Sequence, residues 1–265
     1  MKFSDGYWLL REGVTAAHPT EVLDVTASDG ALEIHAPTRP IRSRGDLMTG
    51  PVMTIRAHTP MPDVIGLTLT HFTGERPREP AFDLTCADST PQLAHDDDHA
   101  MLTSGALSVK VARSGPWHVE FLAHGRTLTS SGPKGMGIMR DAGTGGHYLR
   151  EQLNLGVGTT VYGLGERFGP LVKNGQTVDI WNADGGTATE QAYKNVPFYL
   201  TDAGYGVFVD HPGKVSFEIG SETVSKVQFS AETQELTYYV IHGPTPKDIL
   251  RKYTALTGRP PPPFP

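Results

Sequence analysis

The sequence predicts an all-β protein, a large antiparallel β-sandwich with one C-terminal helix, and three observations carry that expectation. Apolar and polar residues alternate with period two along much of the chain, which puts one face of each segment on a core and the other toward water. Turn signals fall between these segments, and 30 glycines and 21 prolines among 265 residues mark a turn-rich globular protein long enough to bury a sizeable core. Only one stretch carries helical spacing.

Taken in order, "ALEIHA" (31–36), "VMTIRAH" (52–58), "VIGLTLTHF" (64–72) and "ALSVKVA" (106–112) alternate as half-buried strands. The pattern continues in "VYGLG" (161–165), "YGVFVDH" (205–211), "KVSFEIG" (214–220), "KVQFSAE" (226–232) and "LTYYVIHG" (236–243). Ser28-Asp29-Gly30, Ala123-His124-Gly125 and Lys173-Asn174-Gly175 supply residues that tolerate positive φ where the chain reverses. Connections this short join strands antiparallel. Two tracts, "HFTGERPREPAF" (71–82) and the glycine-rich "SSGPKGMGIMRDAGTGGHY" (130–148), read as long surface loops.

The helix is "TPKDILRKYTALTG" (245–258), with Thr245 as N-cap and Pro246 at its first position. Ile249, Leu250, Tyr253 and Leu256 mark its apolar face, and Gly258 supplies the stop. Four prolines then follow, which can neither extend a helix nor join a sheet, so 259–265 reads as a stiff linker toward something further.

Composition narrows the function. A net charge of −6 without a basic stripe gives no electrostatic case for nucleic acid or an anionic membrane surface. The single cysteine, Cys86, forms no internal disulfide, and the opening "MKFSDGYWLLREGV" lacks the long apolar core of a signal peptide, which together favour the cytoplasm. No stretch approaches the roughly 18 apolar residues that span a bilayer.

Four stretches carry residue types that do chemistry. "HDDDH" (95–99) has metal-ligand types, but consecutive residues of an extended chain point in alternating directions, and a solvated turn fits better; no metal or cofactor is expected. "GLGERFG" (163–169) superficially resembles a phosphate loop, yet no helix follows it, so it reads as a strand entering a tight turn with Glu166 and Arg167 pairing nearby. Trp117 in "SGPWHVEF" reads as core packing rather than a sugar platform. "WNADGGTATEQAYKNVPFYL" (181–200) gathers short amides, carboxylates and hydroxyls around Gly185-Gly186, suited to sugar hydroxyls; from the residues alone a functional loop and an ordinary connection both stay open. No self-contained catalytic set emerges. Glycoside hydrolysis needs a carboxylate pair, and spacing nominates none.

"MKFSDGYWLL", "LNLGVGTTVYGLGERF", "NGQTVDIWNADGGTATEQAYKNVPFYLTDAGYGVFVDHP", "VSFEIGSETVSKVQFS" and "VIHGPTPKDILRKYTALTGRP" closely resemble, in order and spacing, the N-terminal region of bacterial α-xylosidases of glycoside hydrolase family 31. The resemblance implies a galactose-mutarotase-like sandwich over 1–244, a connecting helix at 245–258, and a linker at 259–265 toward a (β/α)8 barrel that carries both catalytic aspartates. The chain by itself is then expected to be inactive. The resemblance also implies that the 181–200 loop reaches the sugar pocket of that barrel, with Asp184 of Trp-Asn-x-Asp contacting an α-xyloside or α-glucoside and Asn182 shaping the loop or touching the sugar. The third motif position, often arginine in similar enzymes, is Ala183, and the proline run ends in Phe264-Pro265 where the family proceeds through tryptophan. A patch that docks the barrel would be apolar and would also favour a homo-oligomer. The rival reading is a free-standing carbohydrate-binding module or a mutarotase-like epimerase, which would need a His and carboxylate pair such as His118, His124 and Glu120.

Overall fold

A computed structural model describes residues 1–74, 76, 79–87, 89–183, 189–259 and 261. The chain opens with β1 (Val14–Ala17), β2 (Asp24–Ser28), β3 (Ala31–Pro37), β4 (Val52–Met61) and β5 (Val64–Thr70). A meander follows, β6 (Gln92–His95), β7 (His99–Ser104), β8 (Leu107–Ala112), β9 (Val119–Ala123) and β10 (Arg126–Ser131). Next come β11 (Gly137–Asp141), β12 (Gly146–Asn154), β13 (Val161–Gly163), β14 (Thr177–Ile180) and β15 (Phe198–Thr201). The last strands are β16 (Tyr205–Asp210), β17 (Val215–Ile219), β18 (Lys226–Glu232) and β19 (Glu235–His242), before the helix α1 (Pro246–Thr257).

These strands form three antiparallel sheets. Eight strands run in the order β13-β15-β16-β19-β5-β4-β3-β2, six in the order β1-β11-β12-β18-β17-β14, and five in the order β10-β9-β8-β7-β6. The alternation explains the layering. Along β18, Val227, Phe229 and Ala231 are buried in the main core, while Gln228 and Ser230 project from the other face. On β19, Leu236, Tyr238 and Val240 meet them from the eight-stranded sheet, with the Tyr238 ring edge-on to Phe229 at 5.0 Å and to Phe121 of β9 at 6.4 Å. Each such large apolar side chain contributes about 1.5–3 kcal/mol by leaving water. The eight-stranded sheet is thus one layer and the other two sheets are the opposing layer.

The outer faces are covered differently. Residues 1–13 lie on the six-stranded sheet, where Phe3 packs with Val14 and Met139, and the Phe3 and Ser4 N–H groups donate to Glu222 Oε1 at 2.8 and 2.7 Å. Helix α1 lies on the eight-stranded sheet. The hydroxyl of Thr245 accepts from Asp248 N at 3.3 Å, as an N-cap should, and the Tyr253 ring stacks on Phe198 at 4.1 Å. Ile249 and Leu256 are buried there, but Leu250, expected on the same apolar face, is 41% exposed. One residue turns a helix by about 100°, which carries Leu250 off the stripe its neighbour Ile249 occupies.

The glycine-rich tract 130–148 corrects a second expectation. It is no surface loop: β10 ends in it, and β11 and β12 form a hairpin in the six-stranded sheet with Met136 and Met139 buried. Its glycines make room for rings. A Cβ on Gly137 would come within 2.6 Å of His18 Nδ1, and one on Gly146 within 2.6 Å of the Tyr148 ring. Among the described residues no helix is long and apolar enough to cross a membrane.

Candidate functional site

The strand β13 runs into a turn whose backbone is set by Gly163, Leu164 and Gly165, at φ 109°, 66° and 87°. Both glycines are required by what they touch. A Cβ on Gly163 would approach Phe198 O to 2.7 Å, and one on Gly165 would overlap the Lys194 carbonyl oxygen and come within 2.9 Å of Val196 N. The turn therefore lies directly on the backbone of 194–198, with Leu164 N donating to Phe198 O and Glu166 N to Lys194 O. This close approach, rather than phosphate binding, accounts for the Gly-Leu-Gly pattern.

It also places Arg167 beneath the loop that follows β14. The guanidinium donates from Nε to Leu164 O at 3.1 Å, from NH2 to Asp179 O at 2.9 Å and to Asn195 Oδ1, and from NH1 to Glu190 O at 3.4 Å. Asn195 completes the knot. Its Nδ2 donates to Trp181 O at 2.9 Å, to Asn182 Oδ1 at 3.0 Å and to Ala192 O at 2.8 Å. Ala183 N donates to Ala192 O, and Lys194 pairs with Glu166 at 2.7 Å. Burial lowers the Arg167 pKa, yet a guanidinium stays charged, and carbonyl dipoles solvate it where Asp179 and Glu190 act only at longer range.

Of the two sequence-predicted site residues, Asn182 is exposed and its Oδ1 is held by Asn195. Asp184 lies outside the described residues. Sequence reading missed the knot itself, because a carbonyl acceptor has no residue identity; the paired glycines were the one available signal.

Beside the knot a cavity of about 640 Å³ opens over the paired ends of β16 and β19 in the eight-stranded sheet, lined among others by Phe82, Trp181, Asn182, Phe208, Asp210 and Thr237. Trp181 is 59% exposed, Phe82 is more so, and burial pushes the Asp210 carboxyl pKa up. Aromatic faces next to amide and carboxylate oxygens suit a pyranose or an amphipathic protein segment alike.

The remaining sequence candidates resolve individually. Residues 95–99 form the β6–β7 turn, where Asp96 Oδ1 accepts from the N–H groups of Asp98 and His99 at 2.9 and 2.7 Å. Trp117 is core, 1% exposed. His118, just before β9, and Glu120 on it lie 3.8 Å apart, but Lys110 bonds Glu120 at 2.9 Å and holds its pKa down, which ill suits a base poised near neutrality. His124 instead meets His242 edge to face at 5.7 Å. The most perturbed carboxyl, Glu151, is fully buried and accepts from Ser131 Oγ, Gln152 N and Tyr238 OH, tying the three sheets together rather than facing a ligand.

Comparison with known proteins adds a family. Residues 53–218 match the family model described as the glycosyl hydrolase 31 N-terminal galactose mutarotase-like domain. The chain is 46% identical over 259 residues to α-xylosidase XylQ of Lactiplantibacillus pentosus, covering 97% of this chain and 34% of that protein. It is 38% identical to an α-xylosidase of Emericella nidulans, covering 98% of this chain and 36% of the relative. The chain thus spans about a third of the length of the curated relatives it matches. Among solved structures, a GH31 dextranase of Flavobacterium johnsoniae superposes with a TM-score of 0.75 at 20% identity, over 92% of this chain and 29% of that one. A GH31 α-xylosidase from a soil metagenome does so at 0.67 and 16% identity, over 89% of this chain and 34% of that one, so both share the fold.

Proposed function

The chain belongs to glycoside hydrolase family 31, as the N-terminal galactose mutarotase-like domain of that family, and from this premise we propose that it is the non-catalytic part of a retaining α-glycosidase acting on α-xylosides or α-glucosides. In that role it packs on a catalytic (β/α)8 barrel and lends the 181–200 loop to the sugar pocket, with the Asp184 carboxylate accepting from sugar hydroxyls. Asn182 serves mainly to shape the loop. The observation that carries the reading is the double anchorage of this polar loop by Arg167 and Asn195, since ordering so many side chains serves an idle connection poorly. α-Xylosides come first because the two relatives that cover nearly the whole chain are α-xylosidases. The cytoplasm is the compartment that the lone, exposed Cys86 favours.

The physical logic is that of an assisting contact. Bonds from a loop carboxylate to sugar hydroxyls raise kcat only to the extent that they tighten as the ring becomes oxocarbenium-like; otherwise they lower KM alone. One such contact in a closed site is worth roughly 1.5–3 kcal/mol, and little in open solvent. The test is hydrolysis of p-nitrophenyl α-D-xylopyranoside and the α-glucoside by this chain alone and joined to its catalytic domain. We expect activity only in the joined protein, with Asp184→Ala lowering kcat/KM roughly ten- to hundredfold. Turnover by the 265-residue chain itself would overturn the assignment. Tight sugar binding by the isolated chain would instead favour the free-standing module.

A further inference from the structure

We infer that Arg167 and Asn195 are positioning residues for the sugar-contacting loop, acting through the chain on either side of 184–188 rather than by touching substrate. The inference rests on the reading above and extends it to residues outside the Trp-Asn-x-Asp motif. The geometry is specific. Asn195 grips the outgoing strand of the loop through Trp181 O and Asn182 Oδ1, and the returning strand through Ala192 O. Arg167 bridges the same two strands from below, reaching Asp179 O on one side and Glu190 O and Asn195 Oδ1 on the other. Gly163 and Gly165 set the height of this clamp, because any side chain there would push the turn that leads into Arg167 off the backbone of 194–198.

The residue types follow from the acceptors. Four oxygens on four different residues accept from Arg167, which a guanidinium with its rigid fork of five N–H groups can serve and a lysine ammonium with three cannot. Asn195 must both accept from Arg167 and donate to three oxygens. An aspartate keeps the first bond and turns the second set into repulsion. A purely scaffolding role would direct these bonds into the sheets. Here most run to loop atoms, and the loop is where small displacements matter, since about 1 Å at a reacting sugar can cost up to roughly a hundredfold in rate.

The experiment has two arms. In the 265-residue chain, Arg167→Lys and Asn195→Asp are compared with wild type by amide hydrogen exchange. We expect at least about tenfold faster exchange across 181–183 and 189–195 with β12 and β18 unchanged; unchanged loop exchange, or acceleration through the core strands as well, overturns the inference. In the chain joined to its catalytic domain, Arg167→Lys, Asp184→Ala and the double variant form a cycle on an aryl α-xyloside. We expect Arg167→Lys alone to lower kcat/KM roughly tenfold, mostly in kcat, and to add little once Asp184 is gone. Equal losses from Arg167→Lys in both backgrounds overturn positioning while leaving the Asp184 contact standing. Wild-type rates for Asp184→Ala overturn the contact itself, and with it the inference.

Discussion

The two outer faces of the sandwich are closed by opposite means. On the six-stranded sheet the projecting side chains are polar, and they satisfy one another: Glu218, almost wholly buried, accepts from Ser216 Oγ at 2.8 Å and from Gln228 Nε2 at 3.0 Å, while Gln152 donates to Gln228 at 2.7 Å. Residues 1–13 then seal this network from above. On the eight-stranded sheet the projecting side chains under α1 are aromatic, with Phe198, Phe208, Tyr239 and Tyr253 in contact, and beyond the helix the surface opens into the cavity at Trp181 and Phe82. That polar face meets most of its own needs, although Arg150 Nε on it has no partner among the described residues. An aromatic face left half covered, beside the C-terminal helix, is the one that still has apolar surface to bury.

The comparison breaks most visibly at Phe198. It is buried, stacked on Tyr253, and close enough to Gly206 that a Cβ there would meet its ring at 2.9 Å. Phe198→Ala removes one plate of the stack without a replacement, and we expect a loss of about 3–5 kcal/mol, read as a lower midpoint in denaturant titration with α1 released. A loss below about 1 kcal/mol would mean that the helix is held by its cap and not by the aromatic face.

How far the two faces were legible in the sequence differs for the same reason. The core strands announced themselves, because a strand that turns Val227, Phe229 and Ala231 to the core and the polar Gln228 and Ser230 to the other face must alternate. Helix α1 was legible from Thr245, Pro246 and the 249/253/256 spacing. The hairpin at 130–148 was not, since its place in the sheet depends on Gly137 and Gly146 contributing no side chain, and absence of volume looks like a loop until His18 and Tyr148 fill the space. At the candidate site the polar loop could be read from its composition. Its anchor could not, because Arg167 and Asn195 are 28 positions apart and bind mostly main-chain oxygens.

Titration separates the interior from its flanks. Burial pushes the Glu151 carboxyl up to about 7, so the folded chain holds a proton that the unfolded chain releases above about pH 4.5; stability from this group is present at low pH and is lost as pH rises to 7. His58, on the eight-stranded face, and His18, beside β11, are lowered by burial to about 4, so each costs stability as pH falls from 6.5 toward 4. Glu151→Gln should therefore stabilise by about 3 kcal/mol at pH 8 and by almost nothing at pH 4. The amide can still meet Tyr238, whose hydroxyl also accepts. His58→Leu should remove only its own share of this acid lability and leave that of His18. Parallel pH profiles for wild type and Glu151→Gln would show that the carboxyl is ionised in the core after all.

The smallest expected effect is the most diagnostic of how the polar face is closed. Glu222 fastens the N-terminal segment through the Phe3 and Ser4 amides and ties it to the sheet through Gln228. Glu222→Ala leaves those donors to water, which costs about 1–2 kcal/mol of local closure, but removes no core volume. Because the segment lies on a finished sandwich, it should open by itself. Exchange at Phe3 and Ser4 should rise about tenfold or more, and trypsin should cut sooner after Arg11, while the melting temperature falls by only about 2–4 °C. Loss of the whole fold in this variant would mean that residues 1–13 are part of the core rather than its cover, and the two faces would then differ in chemistry but not in kind.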